Sequence, residues 1–84
     1  MFYVYILGST TKHYIGVTEN ITRRIEEHIR GQNVTTAKLI NVFLVGYFIK
    51  ESKREALKLE KIIKKNGHIQ HWIDHTTFIH ADVA

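Results

Sequence analysis

Arg24 and His28 stand four residues apart in the stretch Ile21-Thr22-Arg23-Arg24-Ile25-Glu26-Glu27-His28. At about 100° per residue this spacing stacks them one turn above the other. They fall on one flank of a narrow apolar stripe formed by Ile21, Ile25 and Ile29, while Arg23 and Arg30 point the other way, into solvent. An arginine held there supplies permanent charge in a planar donor fork. A histidine supplies a group that changes charge near neutral pH. The same spacing also fits an ordinary surface helix with a few charges beside its seam.

Two tyrosines precede this helix on what read as paired strands. Phe2-Tyr3-Val4-Tyr5-Ile6-Leu7 is aromatic and β-branched and ends at the turn signal Gly8-Ser9-Thr10-Thr11-Lys12. His13 to Val17 reads as the second strand of a hairpin. Period-2 alternation puts Val4, Ile6, Ile15 and Val17 on one face and Tyr3, Tyr5, Tyr14 and Gly16 on the other. The glycine leaves the sheet surface open beside Tyr5 and Tyr14. Structural tyrosines on a half-buried sheet would read the same way.

The elements that position these groups are legible from caps and turns. Asn20 is an N-cap and Gly31 a C′ residue, which bounds the first helix. Gln32 to Ile40 is a polar connection carrying Lys38. Asn41 to Ile49 reads as a third strand, in which Gly46 marks a bulge or a close approach. Ser52-Lys53-Arg54-Glu55 is a capping box, so a second helix runs from about Lys53 to Asn66 and stops at Gly67. Ala56, Leu59 and Ile63 form its apolar stripe, with Glu60 on one edge. Glu60 precedes Lys64 by four residues, the favourable order for an ion pair worth about 0.2–0.5 kcal/mol. Lys53, Arg54, Lys58, Lys61, Lys64 and Lys65 make the helix strongly basic, either a solvated face or a track for a phosphate backbone.

The last segment, Gly67 to Ala84, holds His68, His71, His75 and His80. Spacings of three and four would place the first three on one helical face, as a zinc site requires. Against zinc stand the lack of a cysteine or carboxylate pair nearby and the presence of Trp72, Ile73, Phe78 and Ile79, which suggest a segment packed on the domain.

Eighty-four residues make a single domain, and a hydrophobic fraction of 44% is that of a globular chain. With no cysteine there is no disulfide and no thiolate metal site, which fits a reducing, cytoplasmic setting. The N-terminus has neither a basic region nor a long apolar segment, so no signal peptide is expected. The longest apolar run, Val42 to Ile49, is far short of the roughly 20 residues needed to span a bilayer. A net charge of +4 favours an anionic partner, of which nucleic acid is the commonest.

Taken together these residues resemble the GIY-YIG nuclease superfamily, and its small stand-alone members in particular. Tyr3-Val4-Tyr5 stands where the family has Gly-Ile-Tyr, and Tyr14-Ile15-Gly16 is the second motif verbatim. Asn20, Arg24 and His28 fall at the family's helix positions. Ala56-Leu57-Lys58-Leu59-Glu60-Lys61 is similar to the helix whose glutamate binds the metal. The likeness covers roughly residues 2 to 66, leaving 67–84 as a histidine-rich extension. Tyr3 departs from the motif's glycine, and nothing replaces the asparagine that larger members carry well beyond the glutamate.

The resemblance implies an α/β domain of the α+β type, with a three-stranded antiparallel sheet flanked by helices. It implies an endonuclease hydrolysing DNA phosphodiesters, in repair, in recombination or on branched DNA. Glu60 would hold one Mg²⁺ or Mn²⁺, and Arg24 would bind the non-bridging phosphate oxygens. The base is open between Tyr14 and His28, with Tyr5 orienting it or the water. A free tyrosine has a pKa near 10, so bringing one to neutrality takes about three units, or roughly 4 kcal/mol. A metal-bound water, Lys12 or Lys38 would supply part of that, and Lys12, Lys38, Lys61 and Lys64 would meet DNA. No separate DNA-binding domain is present, so a partner protein supplying substrate specificity is expected, and no membrane is. Two other classes remain: a catalytically silent nucleic-acid-binding module and a histidine-bound zinc adaptor.

Overall fold

Strand β1 (Phe2–Gly8) is the most buried stretch of the chain, with Val4, Tyr5, Ile6 and Leu7 wholly removed from solvent. The computed structural model describes residues 1–10, 12–30 and 42–81. Strands β2 (His13–Thr18) and β3 (Phe43–Lys50) pair antiparallel with β1 on either side. Helix α1 (Ile21–Ile29) lies between β2 and β3 in sequence, and α2 (Lys53–Asn66) follows β3. A short helix α3 (Ile69–Ile73) and a two-residue strand β4 (Ile79–His80) complete the order.

The β1–β2 register pairs Val4 with Val17, Tyr5 with Gly16, Ile6 with Ile15 and Leu7 with Tyr14. The apolar and tyrosine faces therefore sort as the alternation requires. On the first face Val4, Ile6 and Phe48 pack with Ala56 and Ile63 of α2, Ile73 of α3 and Phe78. On the second, α1 brings His28 against Tyr5. The sheet thus separates the two long helices.

Both long helices begin where their caps indicate. Asn20 Oδ1 accepts from the Arg23 amide at 3.0 Å, and Ser52 Oγ accepts from the Glu55 amide at 3.2 Å. Helix α2 ends on Gly67 in the left-handed region (φ 67°), a conformation that favours glycine. The connection 32–40, the cap residue Gly31 and the candidate Lys38 lie outside the described residues.

The expected three-stranded sheet has a fourth strand, in the order β2-β1-β3-β4. Strand β4 pairs through Gly46↔His80 and Tyr47↔Ile79. Two exposed residues carry no period, so nothing in the sequence announced it. Gly46 is what admits it. The register slips between Ile6 and Leu7, and the Phe78 ring and Ile79 carbonyl occupy the place a Cβ on Gly46 would take. The histidine spacing does not survive folding as one helical face. Helix α3 ends at Ile73, with His68 preceding its first residue and His75 beyond its end. Trp72, Ile73 and Phe78 instead pack on or beside the core, Trp72 and Phe78 each edge-on to Phe48. Among the described residues no helix is long and apolar enough to cross a membrane.

Candidate active site

Tyr5 reaches its place because Gly16, its partner across the β1–β2 ladder, has no side chain. A Cβ there would fall on the Tyr5 hydroxyl and 2.5 Å from its Cζ. The ring lies across the glycine, and its hydroxyl meets α1. Tyr5 Oη is 3.0 Å from His28 Nε2 and 3.3 Å from Arg24 Nε. Tyr14 closes the cluster, its ring centroid 5.2 Å from that of His28 and 6.5 Å from that of Tyr5. Four of the five expected site residues are therefore brought together by one strand pair and one helix.

Burial divides their roles. Tyr5 is 0% and His28 2% exposed, whereas Tyr14 is half-buried. Helical counting put His28 at the edge of an isoleucine stripe; the structure sinks it further than Ile21 or Ile25, both half-buried. The reason is the tyrosine beneath it. A buried imidazole needs a hydrogen-bonding partner, and Tyr5 provides one. Burial, then the Arg24 charge, holds the His28 pKa below its ordinary value, against an opposing pull from Glu27. Burial also raises the Tyr5 pKa, although the Arg24 hydrogen bond and charge work against it. Both rings are therefore neutral at pH 7. In the arrangement that satisfies all three groups, Arg24 Nε donates to the Tyr5 oxygen and the Tyr5 hydroxyl donates to His28 Nε2, with His28 protonated at Nδ1.

Arg24 is fixed a second time, by Glu27. Its Nη1 lies 3.3 Å from Glu27 Oε1, and Glu27 Oε2 lies 3.9 Å from Arg23 Nε. The sequence reading passed over Glu27, although its i+3 spacing from Arg24 was the available signal. Thr18 was passed over too. Its hydroxyl bonds both the amide and the carbonyl of Asn20 and so closes the corner between β2 and α1. Beside that corner is a cleft lined by Thr18, Glu19, Asn20, Arg23, Arg24 and Glu27. The Arg24 side chain, 36% exposed, is the part of the cluster that faces the cleft.

Glu60 comes from the other layer. Helix α2 covers the apolar sheet face, and the Glu60 side chain, 19% exposed, holds Lys64 Nζ at 3.3 Å. Its charge still reaches the cluster, since it is among the causes that raise the Tyr5 pKa. No group of three histidine, cysteine or acidic residues suited to a metal exists among the described residues. A single shielded carboxylate fits Mg²⁺ or Mn²⁺, which keep most of their water, and does not fit zinc. Of the lysines expected at DNA, Lys12 is exposed in a turn closed by Ser9 Oγ at 3.1 Å from its amide, and Lys61 is exposed on α2.

The GIY-YIG catalytic domain, as a family description, matches residues 1–69, which takes in every residue of this cluster and Glu60. No curated protein and no solved structure matches the chain.

Proposed function

Since the chain belongs to the GIY-YIG nuclease superfamily, we propose that it is an endonuclease that hydrolyses DNA phosphodiester bonds with one Mg²⁺ or Mn²⁺. The observation that carries this reading is the Tyr5 hydroxyl held between Arg24 Nε and His28 Nε2. A structural tyrosine needs one partner, whereas this one fixes an arginine whose outer edge remains open to the cleft.

Arg24 binds the non-bridging oxygens of the scissile phosphate and stabilises the charge that builds there during attack. Glu27 and Tyr5 hold the guanidinium at two positions, so it is oriented before the substrate arrives. The half-exposed Tyr14, once it has lost its own proton to solvent, is better placed than the buried His28 to take the proton from water. His28 then acts through Tyr5, as a positioning residue. Glu60 is the residue that would hold the ion, which when bound supplies positive charge at the phosphate and eases ionisation of water. Lys12, Lys38, Lys61 and Lys64 contact flanking phosphates. Membership of the family supports a role in repair or recombination, on branched DNA and inside the cell, with a partner protein choosing the substrate.

The test is a panel of end-labelled duplex, flap, forked and four-way DNA incubated in Mg²⁺ or Mn²⁺. Nicked product in either ion, abolished by EDTA, is the expected result. A folded protein that binds the panel and cuts none of it would leave a catalytically silent nucleic-acid-binding module.

A further inference from the structure

The chain's net charge of +4 is not spread over its surface. Residues 50–65 carry seven of the twelve lysines and arginines against three glutamates, and the rest of the chain carries five cations against five acids. The whole excess therefore sits on α2 and the residues leading into it. At about 100° per residue Arg54, Lys58, Lys61 and Lys65 fall within roughly 60° of one another. They lie opposite the buried Ala56 and Ile63. All four are exposed, and Lys53, Arg54, Leu57, Lys58 and Lys61 line one shallow concavity.

Two features separate this face from a merely solvated one. Lys64 is paired with Glu60, but among the described residues none of the other five cations of α2 is in an ion pair. Their arrangement also works against the helix. Arg54 and Lys58, and Lys61 and Lys65, are like charges at i,i+4, which repel. Lys53 and Arg54 stand in the first turn, where the helix dipole disfavours cations, with Glu55 as the sole acid there. A surface chosen for helix stability would keep Lys64 and Lys65 in the last turn, where they complement the dipole, and would not place Lys53 and Arg54 in the first. An anion laid on the face relieves both strains.

We propose that the outward face of α2, centred on Arg54, Lys58, Lys61 and Lys65, grips the phosphate backbone of duplex DNA, apart from the cluster around Tyr5. The choice of DNA rests on the nuclease reading. From Arg54 to Lys65 the helix rises about 16 Å, close to half a turn of B-form duplex. Helix α1, by contrast, is charge-balanced, with two arginines and two glutamates. The grip is thereby assigned to the outward face of α2, and the arginine at the scissile phosphate to α1 on the other face of the sheet.

The test is fluorescence anisotropy of a labelled duplex of about 20 base pairs, titrated at several salt concentrations in EDTA, so that no cleavage is needed. Arg54→Gln with Lys58→Gln should lower the slope of log affinity against log salt by about 2 and weaken binding about tenfold near 0.1 M salt. Arg23→Gln with Arg30→Gln removes the same charge from α1 and its C-cap and should change the slope by less than about 1. Should the first pair fail to fold by circular dichroism, Lys61→Gln with Lys65→Gln carries the same expectation. Equal losses from the α1 and α2 pairs, no change in slope, or binding to phosphatidylserine vesicles in place of duplex would overturn the proposal. Cleavage is read separately. A shifted slope without cleavage in either ion sinks the nuclease reading and keeps the grip, and cleavage with an unshifted slope does the reverse.

Discussion

Helix α1 spends its charges on one another, and α2 leaves most of its own unspent. In α1, Glu27 holds Arg24 at 3.3 Å and touches Arg23 at 3.9 Å, and Arg24 holds Tyr5. In α2 six cations face two glutamates, and among the described residues the one ion pair is Lys64 with Glu60. A charge fixed by partners has a position, which is what stabilising a transition state requires. A charge without partners has reach, but salt screens it beyond about 8–10 Å. The contrast teaches that a small nuclease domain can separate positioning from capture by choosing which arginines and lysines receive an acid.

The largest expected effect breaks that contrast at Glu60, the acid of α2 proposed to hold the metal ion. Glu60→Gln should remove metal-dependent cleavage while leaving DNA affinity within a few fold, because it deletes a ligand and not a phosphate contact. Undiminished turnover in Mg²⁺ would reduce Glu60 to the surface partner of Lys64. Next comes the comparison of adjacent arginines. Arg24→Ala should lower cleavage by about 10²–10³, the usual size for losing one transition-state donor. Arg23→Ala, at an exposed residue with one long ion pair, should cost little at saturating DNA. Equal losses from two folded variants would show that Arg24 is not the arginine that faces the phosphate.

How much of this was legible depended on whether the signal was local. The two faces of the hairpin, both helix starts and the stop at Gly67 were readable, because alternation, Asn20, Ser52 and the glycine act within a few residues. The meeting of Tyr5, Tyr14, Arg24 and His28 was reachable only through the motif order, since it joins residues up to 23 apart. The burial of His28 was not readable. Helical phase gave its direction, while its depth is set by a tyrosine hydroxyl on another element. Strand β4 was hidden for a similar reason, as its site is created by a bulge and by Gly46 rather than by its own two residues.

A smaller effect is expected from the glycine beneath the tyrosine. Gly16→Ala drives a methyl group into the Tyr5 ring and hydroxyl, an overpacking that typically costs about 1–3 kcal/mol. Gly67→Ala meets no atom within 4 Å but must hold a left-handed backbone, at roughly 1–2 kcal/mol. Urea unfolding should place the two variants in the same range of stability. Cleavage measured where both are fully folded should fall only for Gly16→Ala, because only that change displaces the hydroxyl holding Arg24. If Gly67→Ala loses as much, the loss comes from general loosening and not from the cluster.

The smallest expected effect is on the pH dependence of stability, and it tests whether α1 is held by a neutral ring. Burial and the Arg24 charge lower the folded pKa of His28 below the unfolded value of about 6.5. Between those two values the unfolded chain binds more protons than the folded one, so stability rises with pH across that window. It is fully present above about 6.5 and is lost as pH falls toward the folded pKa. The structural counterpart is direct: a protonated His28 has no lone pair at Nε2 for the Tyr5 hydroxyl, which would then lie between two cations. Subtracting the pH profile of His28→Gln from that of the wild type cancels the titration of groups that do not touch the ring. The difference should slope upward below about pH 6.5 and flatten above it. A difference that is flat throughout, or slopes downward, would mean that His28 is not a buried neutral acceptor.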